Sequence, residues 1–120
     1  MKLRDTYTCP LELTHDMMKG KWKPIIIWRL RLGPTSLSQL QRDIEGITQK
    51  MLLEQLKELR KYDMVDKHVF EGYPLRVEYY LTREGQKMLE ALTIMQEMGI
   101  QYMEKHPEVG DTHKKVGNVQ

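Results

Sequence analysis

Several things are scarce in this sequence, and each scarcity removes a class of protein. There is one cysteine, Cys9, so no disulfide can form within the chain and a small secreted domain stapled by bridges is excluded. A bridge between two chains stays open. Long apolar runs are missing too: Met1 to Thr8 is charged and polar with no apolar stretch after it, and no later segment approaches the length of a membrane span. A cytoplasmic protein without membrane contact is expected. Charge of one sign is nearly balanced, with 19 Lys and Arg against 17 Asp and Glu for a net +2. That falls short of the strongly basic composition that by itself points to nucleic acid, so a role with DNA must rest on where the charges sit. Catalytic signatures are also absent. His15, His68, His106 and His113 lie on different elements without metal-ligand spacing. No Gly-rich phosphate loop, nucleophile elbow or carboxylate pair stands in a credible context, so neither an enzyme, a metal nor a cofactor is expected.

What is present fits one soluble domain: 120 residues, 40% hydrophobic and 30% charged. Cys9-Pro10 opens a short helix through Leu11, Leu13, His15, Met17 and Met18 to about Lys19, ended by Gly20. A second, largely buried helix carries Trp22, Ile25, Ile26, Ile27, Leu30 and Leu32, with Pro24 tolerated in its first turn, and Gly33-Pro34 closes it. Thr35 and Ser36 are candidate caps for a third helix with Leu37, Leu40 and Ile44, broken at Gly46. Thr48 caps a fourth, in which Leu52, Leu56 and Leu59 form one buried stripe. Met64 to Phe70 and Arg76 to Leu81 read as a hairpin around Glu71, Gly72, Tyr73 and Pro74. Thr82 starts a last helix that ends before Pro107.

Two helices joined at Gly46 and followed by a two-stranded ribbon have the outline of a winged helix-turn-helix. A helix of this width fits the DNA major groove, and the ribbon reaches neighbouring phosphates or the minor groove. With Leu52 at the centre of the buried face, Lys50, Leu53, Lys57, Arg60 and Lys61 point outward and Gln49 sits at the edge. Gln49 and Lys50 lie in the first turn, where Gln can pair with adenine and Lys with guanine or phosphate; Thr48 can cap the helix and donate to a phosphate. A solvated charge stripe would also look like Lys50, Lys57 and Lys61, and on this stretch alone the two readings stay level. Lys19, Lys21, Lys23, Arg29 and Arg31 are further basic positions with no acidic residue between them. In the hairpin Lys67, His68 and Arg76 are placed for phosphates, diluted by Asp66, Glu71 and Glu78. For each of these residues singly, solvation is the plainer use.

The sequence resembles the HxlR-type winged-helix transcription regulators, in the MarR-like superfamily, over roughly Cys9 to Gly99. The resemblance is carried by Cys9-Pro10, Gly20-Lys21-Trp22, Gly33-Pro34, Gly46-Ile47-Thr48-Gln49-Lys50-Met51-Leu52 and Gln55-Leu56-Lys57-Glu58-Leu59. Pro74, Arg76-Val77-Glu78-Tyr79 and Leu81-Thr82 with Gly85 complete it. It implies a homodimer that binds double-stranded operator DNA through two winged helices, with the first and last helices making the dimer. The expected fold is therefore α+β, mainly helical: a winged helix-turn-helix with a two-to-three-stranded wing and added N- and C-terminal dimerisation helices. A flexible arm over 1–8, the domain over 9–105 and a flexible tail over 106–120 are the expected divisions. The chain departs from the family at Ser36-Leu37 and Gln39-Leu40, where Arg-Phe and Glu-Leu are usual. Asp63 replaces a glycine, at a position where Asp tolerates a left-handed backbone, and Leu75 replaces a second proline.

Met88, Leu92, Met95, Gly99 and Tyr102 make a seam on the last helix that a partner helix could cover, joined by Leu13, Met17 and Met18 of the first helix. Nine methionines invite the idea of a small-molecule effector pocket at that seam, although core or dimer packing is the commoner use of such a stripe. Cys9 precedes a helix start with Arg4 nearby, a setting that can favour the thiolate, and some relatives sense oxidants or electrophiles at this position. A small packing side chain is the plainer reading. The rival to a DNA-binding regulator is a winged helix that binds protein instead, since fold alone does not give function.

Overall fold

The computed structural model describes residues 2–110. Five helices and three short strands follow one another as α1 (Pro10–Met17), α2 (Trp22–Leu30), β1 (Thr35–Ser36), α3 (Leu37–Asp43), α4 (Gln49–Lys61), β2 (Val65–Phe70), β3 (Arg76–Leu81) and α5 (Arg83–Lys105). The mainly helical α+β winged helix-turn-helix expected from the sequence is what forms. Helix α1 stops at Met17, two residues short of Lys19, and the first ribbon strand begins at Val65, with the Met64 carbonyl accepting from Thr82 N at 3.1 Å just beyond the Val65–Leu81 pair.

Three side chains start three helices by accepting an amide that would otherwise go unpaired. Ser36 takes Gln39 N at 3.2 Å, Thr48 takes Met51 N at 3.1 Å, and Thr82 takes Gly85 N at 3.1 Å. The turn that separates α3 from α4 runs through Gly46 at φ 88°, a left-handed value that glycine adopts at no steric cost. Asp63 takes the left-handed conformation, at φ 64°, between α4 and β2. At Gly85 the reason is space: a Cβ there would stand 2.0 Å from the Met64 carbonyl oxygen, so only glycine lets the start of α5 lie against the root of the wing.

The sheet order is β1-β3-β2, all antiparallel. Strand β1 pairs Thr35 with Tyr79 and Ser36 with Glu78 only, so the wing is three-stranded at its root and two-stranded beyond. Thr35 is thus a strand residue, and Ser36 is the cap. The core gathers Ile26, Ile27 and Leu30 of α2, Leu40 and Ile44 around α3, Leu52, Leu56 and Leu59 of α4, and Val65, Tyr79 and Leu81 of the wing root. Leu92 of α5 joins this cluster at 7% exposure. In the N-terminal arm, Leu3 packs against the core, Arg4 N donates to the Tyr7 hydroxyl, and that hydroxyl donates to Asp16 Oδ2 at 2.8 Å. Of the tail, residues 106–110 form a turn after α5, and the remaining residues, 111–120, lie outside the described residues.

Candidate nucleic-acid interface

Helix α4 divides cleanly. Its Leu52, Leu56 and Leu59 are buried, while Gln49, Lys50, Leu53, Lys57, Arg60 and Lys61 are all exposed, and Thr48 stands exposed at the N-cap. The sequence-based selection of outward residues therefore lands on one continuous surface. Two details refine it. Arg60 Nε lies 3.5 Å from Asp66 Oδ1, so its guanidinium leans toward the wing and would have to leave that carboxylate to meet a phosphate. Glu54, which the reading of basic residues passed over, is exposed between Lys50 and Lys57 at helical spacing from both. A carboxylate there can accept from a cytosine amino group or hold the two lysine side chains apart from the phosphates.

The five basic residues around α2 do not form a phosphate-binding strip. Lys23 is 3% exposed with Nζ 2.5 Å from Glu58 Oε1, and Arg29 is 8% exposed with Nε donating to Asp43 Oδ2 at 2.7 Å. Both tie α2 to the helix-turn-helix, one to α4 and one to α3, and neither charge is available to DNA. Burial pushes the Asp43 carboxyl up, but hydrogen bonds from Arg29 and Gln39 and the charge of Arg29 outweigh it and hold the group below its ordinary range. Arg31 lies over the Trp28 ring at 4.2 Å and donates to the Trp28 carbonyl; Lys21 lies over Trp22 at 4.5 Å. Lys19 and Lys21 are the exposed members.

The wing's register separates its basic residues. Lys67 pairs with Tyr79, on the face that carries the buried Val65 and Leu81, whereas Arg76 pairs with Phe70 on the other face. Successive residues alternate sides, so Lys67 and Arg76 point to opposite faces and cannot share one phosphate. Arg76 stands 3.9 Å over the Phe70 ring, and His68 meets the same ring edge-on at 4.5 Å.

The α5 seam splits in the same manner. Leu92 is buried at 7% exposure, and Met88 and Met17 are half-buried and pack against the core. The central part of α5, with Leu92, packs on α2 and the wing root. Met95, Gly99 and Tyr102 remain exposed, Leu13 is half-buried, and the stripe that continues from Met95 is Ile94 and Met98, which the heptad reading missed. Leu11 of α1 is also exposed. Between α2 and α5, Pro24, Ile25, Trp28, Leu92, Met95 and Gln96 line an open cleft of about 200 Å³. Cys9 is exposed at the N-cap of α1, and Arg4, expected to favour its thiolate, is instead paired with Glu12 and set over Tyr7.

No helix among the described residues is long and apolar enough to cross a membrane, and no group of His, Cys, Asp or Glu among them could hold a metal ion. The sequence matches the HxlR-like helix-turn-helix family over residues 17–107. Among curated proteins it is 38% identical over 100 residues to MalR of Fusobacterium mortiferum, named as a regulatory protein, covering 82% of this chain and 94% of that one. It is 32% identical over 107 residues to the transcriptional regulator YodB of Bacillus subtilis, covering 88% and 96%. Among solved structures, the redox regulator HypR in its reduced form superposes with a TM-score of 0.76 at 32% identity, over 85% of this chain and all of that one. With the matched region taking in everything from the end of α1 to the end of α5, and with relatives that are regulators and not enzymes, the chain belongs to the HxlR-like helix-turn-helix family of transcription regulators.

Proposed function

We propose that this protein binds operator DNA in a sequence-specific way as a homodimer, with residues 9–105 as the DNA-binding unit. The observation that carries the reading is the outer face of α4, where Thr48, Gln49, Lys50, Leu53, Lys57 and Lys61 are exposed together on a helix whose other side is locked into the core. Gln49 and Lys50 meet base edges at the helix N-terminus, Thr48, Lys57 and Lys61 meet phosphates, and Leu53 has the chemistry to pack on a thymine methyl. Lys67 and Arg76 add phosphate contacts from the two faces of the wing. Two such units place their helices in successive major grooves, about 34 Å apart. The second copy covers the exposed stripe of Ile94, Met95, Met98 and Tyr102, with α1 and its Leu11 and Leu13 beside it.

The direct test is a titration of the protein with duplex fragments of its own genome at several salt concentrations. Binding that weakens steeply and linearly in log salt is the expected result. An absence of retardation at low salt would leave the protein-binding winged helix as the answer.

A second reading concerns the signal. Cys9 is exposed, HypR is described as a redox regulator, and YodB has been solved after diamide treatment, at 32% identity and a TM-score of 0.67 over 81% of this chain and 97% of that one. A thiol-directed signal at Cys9 would make operator affinity respond to diamide or a quinone in the wild type and not in Cys9→Ala. Equal responses in the two would remove it.

A further inference from the structure

We propose that the tip of the wing is an apolar wedge, with Tyr73 as its point and Leu75 beside it, which enters the DNA minor groove next to the recognition helix and unstacks a flexible base step there. This rests on the DNA-binding reading above and adds a kind of contact that its basic residues do not make.

The geometry singles out the tip. Tyr73 is 100% exposed and Leu75 is exposed next to it, on the five-residue connection 71–75 between β2 and β3. Strand β1 pairs with the ribbon only at Tyr79 and Glu78, and Val77 is the last ribbon residue packed against the core, so from Phe70 and Arg76 outward the ribbon is two exposed strand ends and their connection. Its base is stiffened: Phe70 is held between the Arg76 guanidinium at 3.9 Å and the His68 ring at 4.5 Å. The cation is therefore at the base of the tip and not at its end. Within 71–75 the only charged residue is Glu71.

That chemistry fits badly with a phosphate clamp, because the carboxylate repels phosphates and the two foremost side chains, an aromatic ring and a leucine, carry no charge. It fits a groove floor. Apolar side chains inserted between base pairs part the stack and bend the duplex, and an aromatic ring can stack on the base it exposes. The phenol hydroxyl can also donate to the acceptors that every base pair presents in the minor groove. Steps such as TA and CA/TG open most cheaply, so the wedge favours them at positions that α4 never touches. Arg76 and Lys67, one on each face behind the tip, hold the flanking backbones while Tyr73 enters between them.

The test selects short duplexes from a random-sequence pool with the full chain, using the wild type, Tyr73→Ala and Tyr73→Phe. Wild type and Tyr73→Phe are expected to enrich the same inner motif read by α4, together with a TA or CA/TG step at a fixed distance outside it. Tyr73→Ala is expected to keep the inner motif, lose the outer step, and bind the wild-type-selected duplex about tenfold more weakly with an unchanged salt slope. A 2-aminopurine placed at the step should brighten with wild type and not with Tyr73→Ala. Identical outer preferences and equal affinity for wild type and Tyr73→Ala would overturn the wedge while leaving the regulator reading intact. A reduced salt slope in Tyr73→Ala would make the tip a phosphate contact and overturn it as well. If the wild type selects nothing from the pool, both readings fall.

Discussion

Helices α4 and α5 carry similar apolar patterns and put them to different uses. In α4, Leu52, Leu56 and Leu59 form one stripe with one destination, the core, and everything opposite is left to solvent. Helix α5 runs for 23 residues, about 34 Å at 1.5 Å per residue. Its Met88 and Leu92 reach the core, after which the apolar line rotates away through Ile94, Met95, Met98 and Tyr102 into solvent. A helical period reveals that a face is apolar. It does not reveal whose surface will cover it.

The largest effect that could break this comparison is in the core. Leu56→Ala and Leu92→Ala should each destabilise the protein by about 2–5 kcal/mol, read as a lower urea midpoint, because both side chains are buried in the same cluster. If Leu92→Ala leaves the midpoint unchanged and instead yields monomers, α5 would be a partner helix along its whole length. Met98→Glu is the counterpart on the exposed stripe: it should leave each chain folded by circular dichroism and shift the sedimenting species from dimer to monomer. A dimer of Met98→Glu at micromolar concentration would show that the stripe is not the seam.

A related contrast holds between buried and exposed cations. Arg29→Met should cost about 3 kcal/mol, since it strands the Asp43 carboxylate beside α2, whereas Lys57→Ala should change stability by less than about 0.5 kcal/mol and weaken DNA binding instead. The pH dependence follows from the same pair. Asp43 has a folded pKa below its unfolded value of about 3.9, so its contribution is fully present above that value and fades as pH falls through the folded pKa. Between neutral pH and pH about 3, wild type should therefore lose more stability than Asp43→Asn. Equal losses would mean that the Arg29 partnership does not stabilise the charged carboxyl.

These contrasts also mark what the sequence made legible. Ser36, Thr48 and Thr82 could be read as caps because capping is settled within three residues, and Asp63 as left-handed because few side chains tolerate that backbone. The outer face of α4 followed from one stripe of leucines. Lys23 and Arg29 were open to misreading as surface cations because their partners, Glu58 and Asp43, are on other helices and only the packed fold brings them together. The opposite faces of Lys67 and Arg76 depend on the hairpin register, which the length of the turn sets and the alternation of side chains does not. Glu54 was legible, at helical spacing from Lys50 and Lys57, and is missed only when basic residues alone are sought.

The central claim is that the N-terminal turn of α4 reads bases. It is tested most directly by measuring the affinities of wild type, Gln49→Ala and Lys50→Ala for the selected operator and for random duplex, at fixed salt. A lost base contact costs about 1–3 kcal/mol and relaxes the preference at one position, so each variant should lose much of the operator-to-random ratio while staying folded. Lys57→Ala should instead weaken both duplexes alike and reduce the salt slope by about one. Unchanged operator affinity and unchanged discrimination in both Gln49→Ala and Lys50→Ala would contradict the placement of α4 in the major groove.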